Sequence, residues 1–213
     1  NFLINPTRIF MNKKILVVCQ RFWPENNQIN DICEGFIERG YSVDVLCGQP
    51  NYPSGEFYEG YNSFRPSREE HGELTIYRTM EIRKSNYSNI RIFLNYITFP
   101  IASGIRKLAL RKKDYAGIFI YQLSPVMMSG AGLSIGRKKR IATTMFVQDV
   151  WPDAIISELD VKSYLFNRFL ERLSKWYYAR ATRLIVSSPS AKSIPSSRLV
   201  SGMSKTAYFI QTR

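Results

Sequence analysis

KKILVVCQRFWPENNQINDICEGFIERG, residues 13–40, is the stretch whose reading decides the fold. Its first seven residues are an apolar run rich in β-branched side chains, the pattern of a strand buried on both faces. From Asn30 to Arg39 the pattern becomes helical and stops at Gly40. Gln20 to Asp31 is therefore a strand-to-helix turn. In a dinucleotide-binding domain this first turn carries glycines that let the backbone close on a pyrophosphate. Here it holds Phe22, Trp23, Pro24 and Glu25 and no glycine, so the turn presents aromatic rings and a carboxylate instead of a phosphate cradle.

The same alternation continues along the chain. Strand-like runs fall at 42–48, 74–80, 117–123, 141–148, 183–188 and 205–210. Helical patterns lie between most of them: about 88–112 with a bend expected at Pro100, 125–138, and the amphipathic SYLFNRFLERLSKWYYARA of 163–181. Strand and helix in alternation require crossover connections, which build an α/β domain with a doubly wound, mostly parallel, Rossmann-like sheet flanked by helices. Ligands of such sheets bind beyond the carboxyl ends of the strands. That rule brings RFWPEN, GQPNYPSGEFYEGY, YQLSP, VQDVWPDA and SSPSA to one edge.

With 213 residues, 45% hydrophobic and 22% charged, the chain has the composition of a globular protein large enough for a full core. The net charge of +13 is uneven. Residues 1–100 carry 11 basic and 11 acidic side chains, and the remainder carries 19 and 6, with clusters in RKLALRKK (106–113) and RKKR (137–140). Both clusters close a helical pattern, where cations favour the macrodipole. They read either as solvated helix ends or as a surface attracted to anionic lipid. No nucleic-acid-binding module accompanies the charge, so nucleic acid is not an expected partner. The apolar window Ile92–Ile105 is too short to cross a bilayer. Cys19, Cys33 and Cys47 are odd in number and form no C-x-x-C pair, which suits a reduced, cytoplasmic chain and no metal. The single histidine, His71, lies in a polar stretch and makes a Ser-His-Asp site improbable.

Three motifs invite chemistry, each with a plainer alternative. PNYPSG (50–55) is either a surface turn or a stiff platform offering the Asn51 amide and the Tyr52 ring to a sugar. In VQDVWPD (147–153), Asp149 ends an apolar strand, where a carboxylate can be desolvated toward a base's working range. Asp149 or Asp153 can equally cap a helix whose first turn holds Pro152, and Trp151 can be core. GAGLSIG (130–136), with Asp149 about twenty residues on, imitates a dinucleotide fingerprint. Its glycines lie several residues past the strand end, however, and read as close helix-on-sheet packing.

The segments KILVVCQRFWPENNQINDICEGFIERGYSVDVLCGQPNYPSG, LNYITFPIAS, YQLSPVMM, VQDVWPD and LIVSS, in that order, resemble the N-terminal domain of bacterial family 4 glycosyltransferases of the two-domain B-type fold. The likeness is nearest to the subgroup that assembles O-antigen and capsule, including fucosamine transferases. It implies a retaining transferase without a cofactor. One half would hold the acceptor, often lipid-linked and at the cytoplasmic membrane face, and the other half the nucleotide sugar. By this resemblance Phe22, Trp23, Glu25, Asn26, Asn51, Tyr52, Gln122 and Gln148 line the acceptor side, with Asp149 as base or hydroxyl acceptor. Gln148 stands where many members carry a histidine. Residues 1–10 are expected to be upstream or vector-derived, 11–204 the acceptor-binding domain and 205–213 the start of a truncated linker, with the donor-side domain missing. Glu73 and Glu81 match the spacing of the family's donor-side glutamate pair but flank the strand LTIYRTM, and are set aside as coincidence. The alternative is a non-catalytic basic module that docks on anionic membrane or on a partner protein.

Overall fold

A computed structural model describes residues 13–83, 89–151, 163–186 and 208–209. Their elements run β1 (Lys14–Cys19), α1 (Gln28–Glu38), β2 (Ser42–Cys47), β3 (Arg68–His71), β4 (Leu74–Arg78), α2 (Asn89–Leu110) and β5 (Gly117–Gln122). A 3-10 turn (Val126–Ser129), α3 (Gly130–Lys139), β6 (Thr143–Val147), α4 (Tyr164–Tyr178), β7 (Arg183–Val186) and β8 (Tyr208–Phe209) follow. One sheet collects all eight strands in the order β3-β4-β2-β1-β5-β6-β7-β8. Every pairing is parallel except β3 with β4. The domain is thus doubly wound α/β with a charged antiparallel edge, REEH, that the sequence pattern does not announce. Chain order reverses at β1, which has β2 on one side and β5 on the other, and such a switch point opens a crevice at the strands' carboxyl ends.

The side-chain period of two explains the two cores. Leu16 and Val18 of β1 join Leu46, Ile118, Ile120 and Met145 beneath α2, α3 and α4. Val17 and Cys19 join Val43, Val45, Ile76 and Phe146 on the other face, which α1 covers with Ile29 and Cys33. Helix α2 runs unbroken through Pro100. The glycines of GAGLSIG lie inside α3, as the packing reading expects. A Cβ on Gly132 would sit 3.0 Å from Ile120 and 3.1 Å from Val18, and one on Gly136 would overlap the Thr143 hydroxyl.

Asp44, in the middle of β2, is fully buried at the amino-edge side of the sheet. Its carboxylate accepts bonds from Lys113 Nζ at 2.8 Å and Tyr115 Oη at 2.9 Å, with Lys14 Nζ 3.5 Å away. Burial tends to discharge Lys113, but its hydrogen bonds to Asp44 and Tyr77 prevail and its pKa is raised. One basic residue of RKK is therefore structural, a role neither of the two sequence readings contained.

Candidate functional site

The carboxyl ends of β1, β2, β4, β5 and β6 meet along one rim, and hydrogen bonds between their loops lock the arrangement. Gly48 N–H donates to Gln20 O and Gln148 N–H to Gln122 O, each at 2.9 Å. The Glu25 carboxylate, 1% exposed, accepts through Oε1 the amide hydrogens of Asn51 (2.6 Å) and Tyr52 (2.7 Å). It thereby holds the PNYP segment against the first turn. Arg78, with no exposed surface, grips Glu69 with two nitrogens (2.6 and 3.1 Å) and gives Nη2 to Trp23 O at 2.6 Å. The backbone under Trp23 is fixed by that bond.

Trp23 and Tyr52 remain exposed, at 49% and 44% of their surface. The Trp23 ring meets His71 edge-on at 5.9 Å, and the Arg21 guanidinium lies 3.8 Å from the centre of the Tyr52 ring. Asn26 is exposed and Asp149 half-buried. Asp149 Oδ2 accepts the Ser124 amide hydrogen at 3.0 Å, which ties the end of β6 to the end of β5. The Gln122 side chain gives Nε2 to Leu123 O (2.6 Å) and Asp149 O (3.2 Å). Its Oε1 and the Gln148 Nε2 are buried without a partner. Two orphaned, fully enclosed polar atoms are a standing cost to the fold.

Several sequence expectations need correction. Phe22 is 3% exposed and packs in the core beside Val17 and Cys19, so it is no crevice wall. Glu25 faces inward, and its nearer oxygen is consumed by main-chain amides. Asn51 is 8% exposed and spends Nδ2 on Gln49 O at 2.8 Å, which makes it a loop brace. Trp151 is core, 2% exposed, as one of its two readings held. Asp153, Pro152, all of SSPSA, residues 1–12 and nearly all of 205–213 lie outside the described residues.

Sequence reasoning also passed over a buried acid. Glu81, dismissed as half of a chance pair, is 3% exposed just past β4. Its Oε1 accepts from Gln20 Nε2 (2.7 Å) and Asn95 Nδ2 (3.0 Å), and its Oε2 from Gln49 N–H (3.2 Å). Burial raises its pKa to about 7, against the pull of the Gln20 and Asn95 bonds and with a push from the Glu25 charge. Burial likewise raises Glu25, opposed by the Tyr52 and Asn51 amides. Gly48 is required here, because any Cβ would overlap the Glu81 carboxylate. The clue in the sequence was a Cys-Gly step at one strand end facing a glutamate at the next.

The remaining chemistry is sparse. All three cysteines are buried and unpaired, and burial pushes the thiols of Cys33 and Cys47 up to about 12, far from a nucleophile's range. No cluster of His, Cys, Asp and Glu among the described residues could hold a metal ion. What the rim offers is two aromatic faces, suited to sugar C–H surfaces, and one half-buried carboxylate, suited to a hydroxyl.

No protein-family model and no curated protein sequence matches the chain. Solved structures do. The sucrose-phosphate synthase of Thermosynechococcus elongatus superposes with a TM-score of 0.58 at 14% identity, over 93% of this chain and 47% of its own. This fold is that of a B-type glycosyltransferase's Rossmann-like domain. A UDP-forming α,α-trehalose-phosphate synthase from Burkholderia vietnamiensis matches with a TM-score of 0.46 at 12% identity, covering 84% of this chain and 40% of its own. Arabidopsis thaliana UGT89C1 in complex with UDP-L-rhamnose gives 0.47 at 14%, covering 83% and 45%. The chain spans less than half the length of each.

Proposed function

We propose that the chain is the acceptor-binding half of a retaining glycosyltransferase of the family 4 type. The complete enzyme moves a sugar from a nucleotide sugar to a lipid-linked glycan in surface polysaccharide synthesis, O-antigen or capsule. One observation carries this reading. Trp23 and Tyr52 stand exposed on backbones held by Arg78 and Glu25, on the same rim as Asp149. Sugar faces stack on the two rings, and Asp149 accepts an acceptor hydroxyl or its proton. The donor diphosphate needs cations or amide donors from the complementary domain, so the chain alone does not turn over nucleotide sugar.

The test is titration with an N-acetylhexosamine linked to farnesyl diphosphate, followed by tryptophan fluorescence. Trp23→Ala and Tyr52→Ala should each weaken binding about tenfold, as loss of a buried aromatic contact does. Unchanged affinity in both variants would remove the acceptor role. Release of nucleotide from a UDP-sugar by the chain alone would remove the division of labour.

A second reading, a basic module on the cytoplasmic membrane face, draws on α2. Phe93, Ile101, Ile105 and Leu108 are exposed along it at 60, 61, 66 and 46%, and Arg106 and Lys107 lie in its last turns. No described helix is long and apolar enough to cross a membrane, so contact would be peripheral. Co-sedimentation with phosphatidylglycerol vesicles that is insensitive to added glycolipid acceptor would favour this reading over the first.

A further inference from the structure

Six cations among the described residues have an acid beside them. Lys14 and Lys113 share Asp44, Lys139 Nζ lies 2.8 Å from Asp114, Arg78 holds Glu69, Arg68 holds Glu70 and Arg83 holds Glu56. A groove of about 610 Å³ lies between α2, α3 and the end of α4. Lys107, Arg137, Lys138 and Arg180 line it, no carboxylate does, and none of the four forms an ion pair with a described acid.

The walls are built. The Arg180 guanidinium lies 3.2 Å from the centre of the Trp176 ring, and Nη1 donates to Trp176 O at 2.8 Å. Tyr177 packs over the first turn of α3, where a Cβ on Gly130 would come 3.6 Å from its hydroxyl. Burial, and then the like charge of Arg137, hold Arg180 below its ordinary pKa. Helix macrodipoles account for Lys107 and for Arg137 and Lys138 one helix at a time. They do not account for cations from three elements lining one concavity that no carboxylate lines, where like charges repel.

We propose that this groove is a binding site for a phosphate-bearing ligand. Lys107, Arg137 and Lys138 take the phosphate, and Trp176 and Tyr177 receive the organic portion. A guanidinium fork and two ammonium groups match phosphate oxygens, and the volume suits a small molecule or a lipid head group. The site lies in the helical layer, with its cations near the helices' carboxyl ends and with Met127, Gly130 and Ala131 at the opening of α3 lining the rest of the groove. A soluble phosphorylated metabolite and a phospholipid head group share the required chemistry.

The experiment titrates the 213-residue chain with inorganic pyrophosphate and, separately, with phosphatidylglycerol vesicles, using phosphatidylcholine vesicles as the neutral arm. Tryptophan fluorescence reports binding, and Trp176→Phe identifies the signal. Saturable binding of pyrophosphate that Arg137→Ala/Lys138→Ala weakens by about tenfold supports a soluble ligand. Binding only to phosphatidylglycerol vesicles, lost in the same variant, supports a head group. Lys107→Gln is the second variant should the double one unfold, which circular dichroism reads. Failure of both probes to bind, binding that these substitutions leave unchanged, or binding that Arg68→Ala weakens as much as they do, overturns the site.

Discussion

The rim at the strands' carboxyl ends and the groove among α2, α3 and α4 treat charge in opposite ways. At the rim each acid is tied down from within: Glu25 by the amides of Asn51 and Tyr52, Glu81 by Gln20, Asn95 and Gln49, Asp149 by Ser124. Around the groove four cations converge and none is answered by an acid among the described residues. Charge satisfied inside a protein builds a scaffold, and charge left unsatisfied on a concave wall is available to a ligand. Glu25 and Glu81 therefore belong mainly to stability, and the proposed acceptor contact rests on the Trp23 and Tyr52 rings and the half-buried Asp149.

That contrast can be broken most severely at Arg78. Arg78→Leu strands the Glu69 carboxylate and the Trp23 carbonyl, and should lower unfolding free energy by about 3 kcal/mol. A urea midpoint that barely moves would show that the rim is not held this way. Glu81 supplies a pH test of similar size. Its folded pKa of about 7 lies above the ordinary 4.5, so the native state keeps a proton that the unfolded chain has already lost. Stability should accordingly fall as pH rises from about 4.5 to 7, by roughly 3 kcal/mol, and level off above that. Unfolding curves from pH 5 to 8 check this, and Glu81→Gln should flatten the slope. If the variant keeps the wild-type slope, another group carries it.

Glu25→Gln preserves shape and removes charge from two short amide bonds, for an expected loss of about 1.5 kcal/mol in the same assay. A neutral result would leave the Asn51–Tyr52 segment held by packing instead. The smallest effect sharpens the comparison from the other side. Arg137→Ala sheds a favourable helix-end charge and an unfavourable like-charge neighbour together, so stability should stay within about 0.5 kcal/mol. A loss above 1 kcal/mol would mean that Arg137 has a structural task and is not a vacant ligand.

Much of the fold was legible because buried parallel strands leave little choice of residue. ILVV, VDVLC and IFIYQ can be placed on sight, and the alternating helices fix the crossovers. REEH was not legible, since an edge strand with a wet face needs no apolar pattern and carries charges against unwanted pairing. The rim was read more coarsely. Which loops meet follows from strand direction, but which side chain of RFWPEN turns inward does not: Phe22 and Glu25 went into the protein while Trp23 and Asn26 stayed out. Sequence neighbours in a turn have no fixed period, and the choice is made by partners 26 to 55 positions away, Asn51, Tyr52 and Arg78.

By itself the amino-acid order determined an α/β sheet, the loops that share its carboxyl edge, and helical packing for GAGLSIG, because these depend on local periodicity and chain direction. Only the tertiary structure decided that Glu25, Asn51 and Arg78 are braces, that Glu81 is a buried acid, and that Lys107, Arg137, Lys138 and Arg180 converge while Lys113 and Lys139 find acids. Pairing of charges is a property of distance in space, and distance along the chain does not encode it.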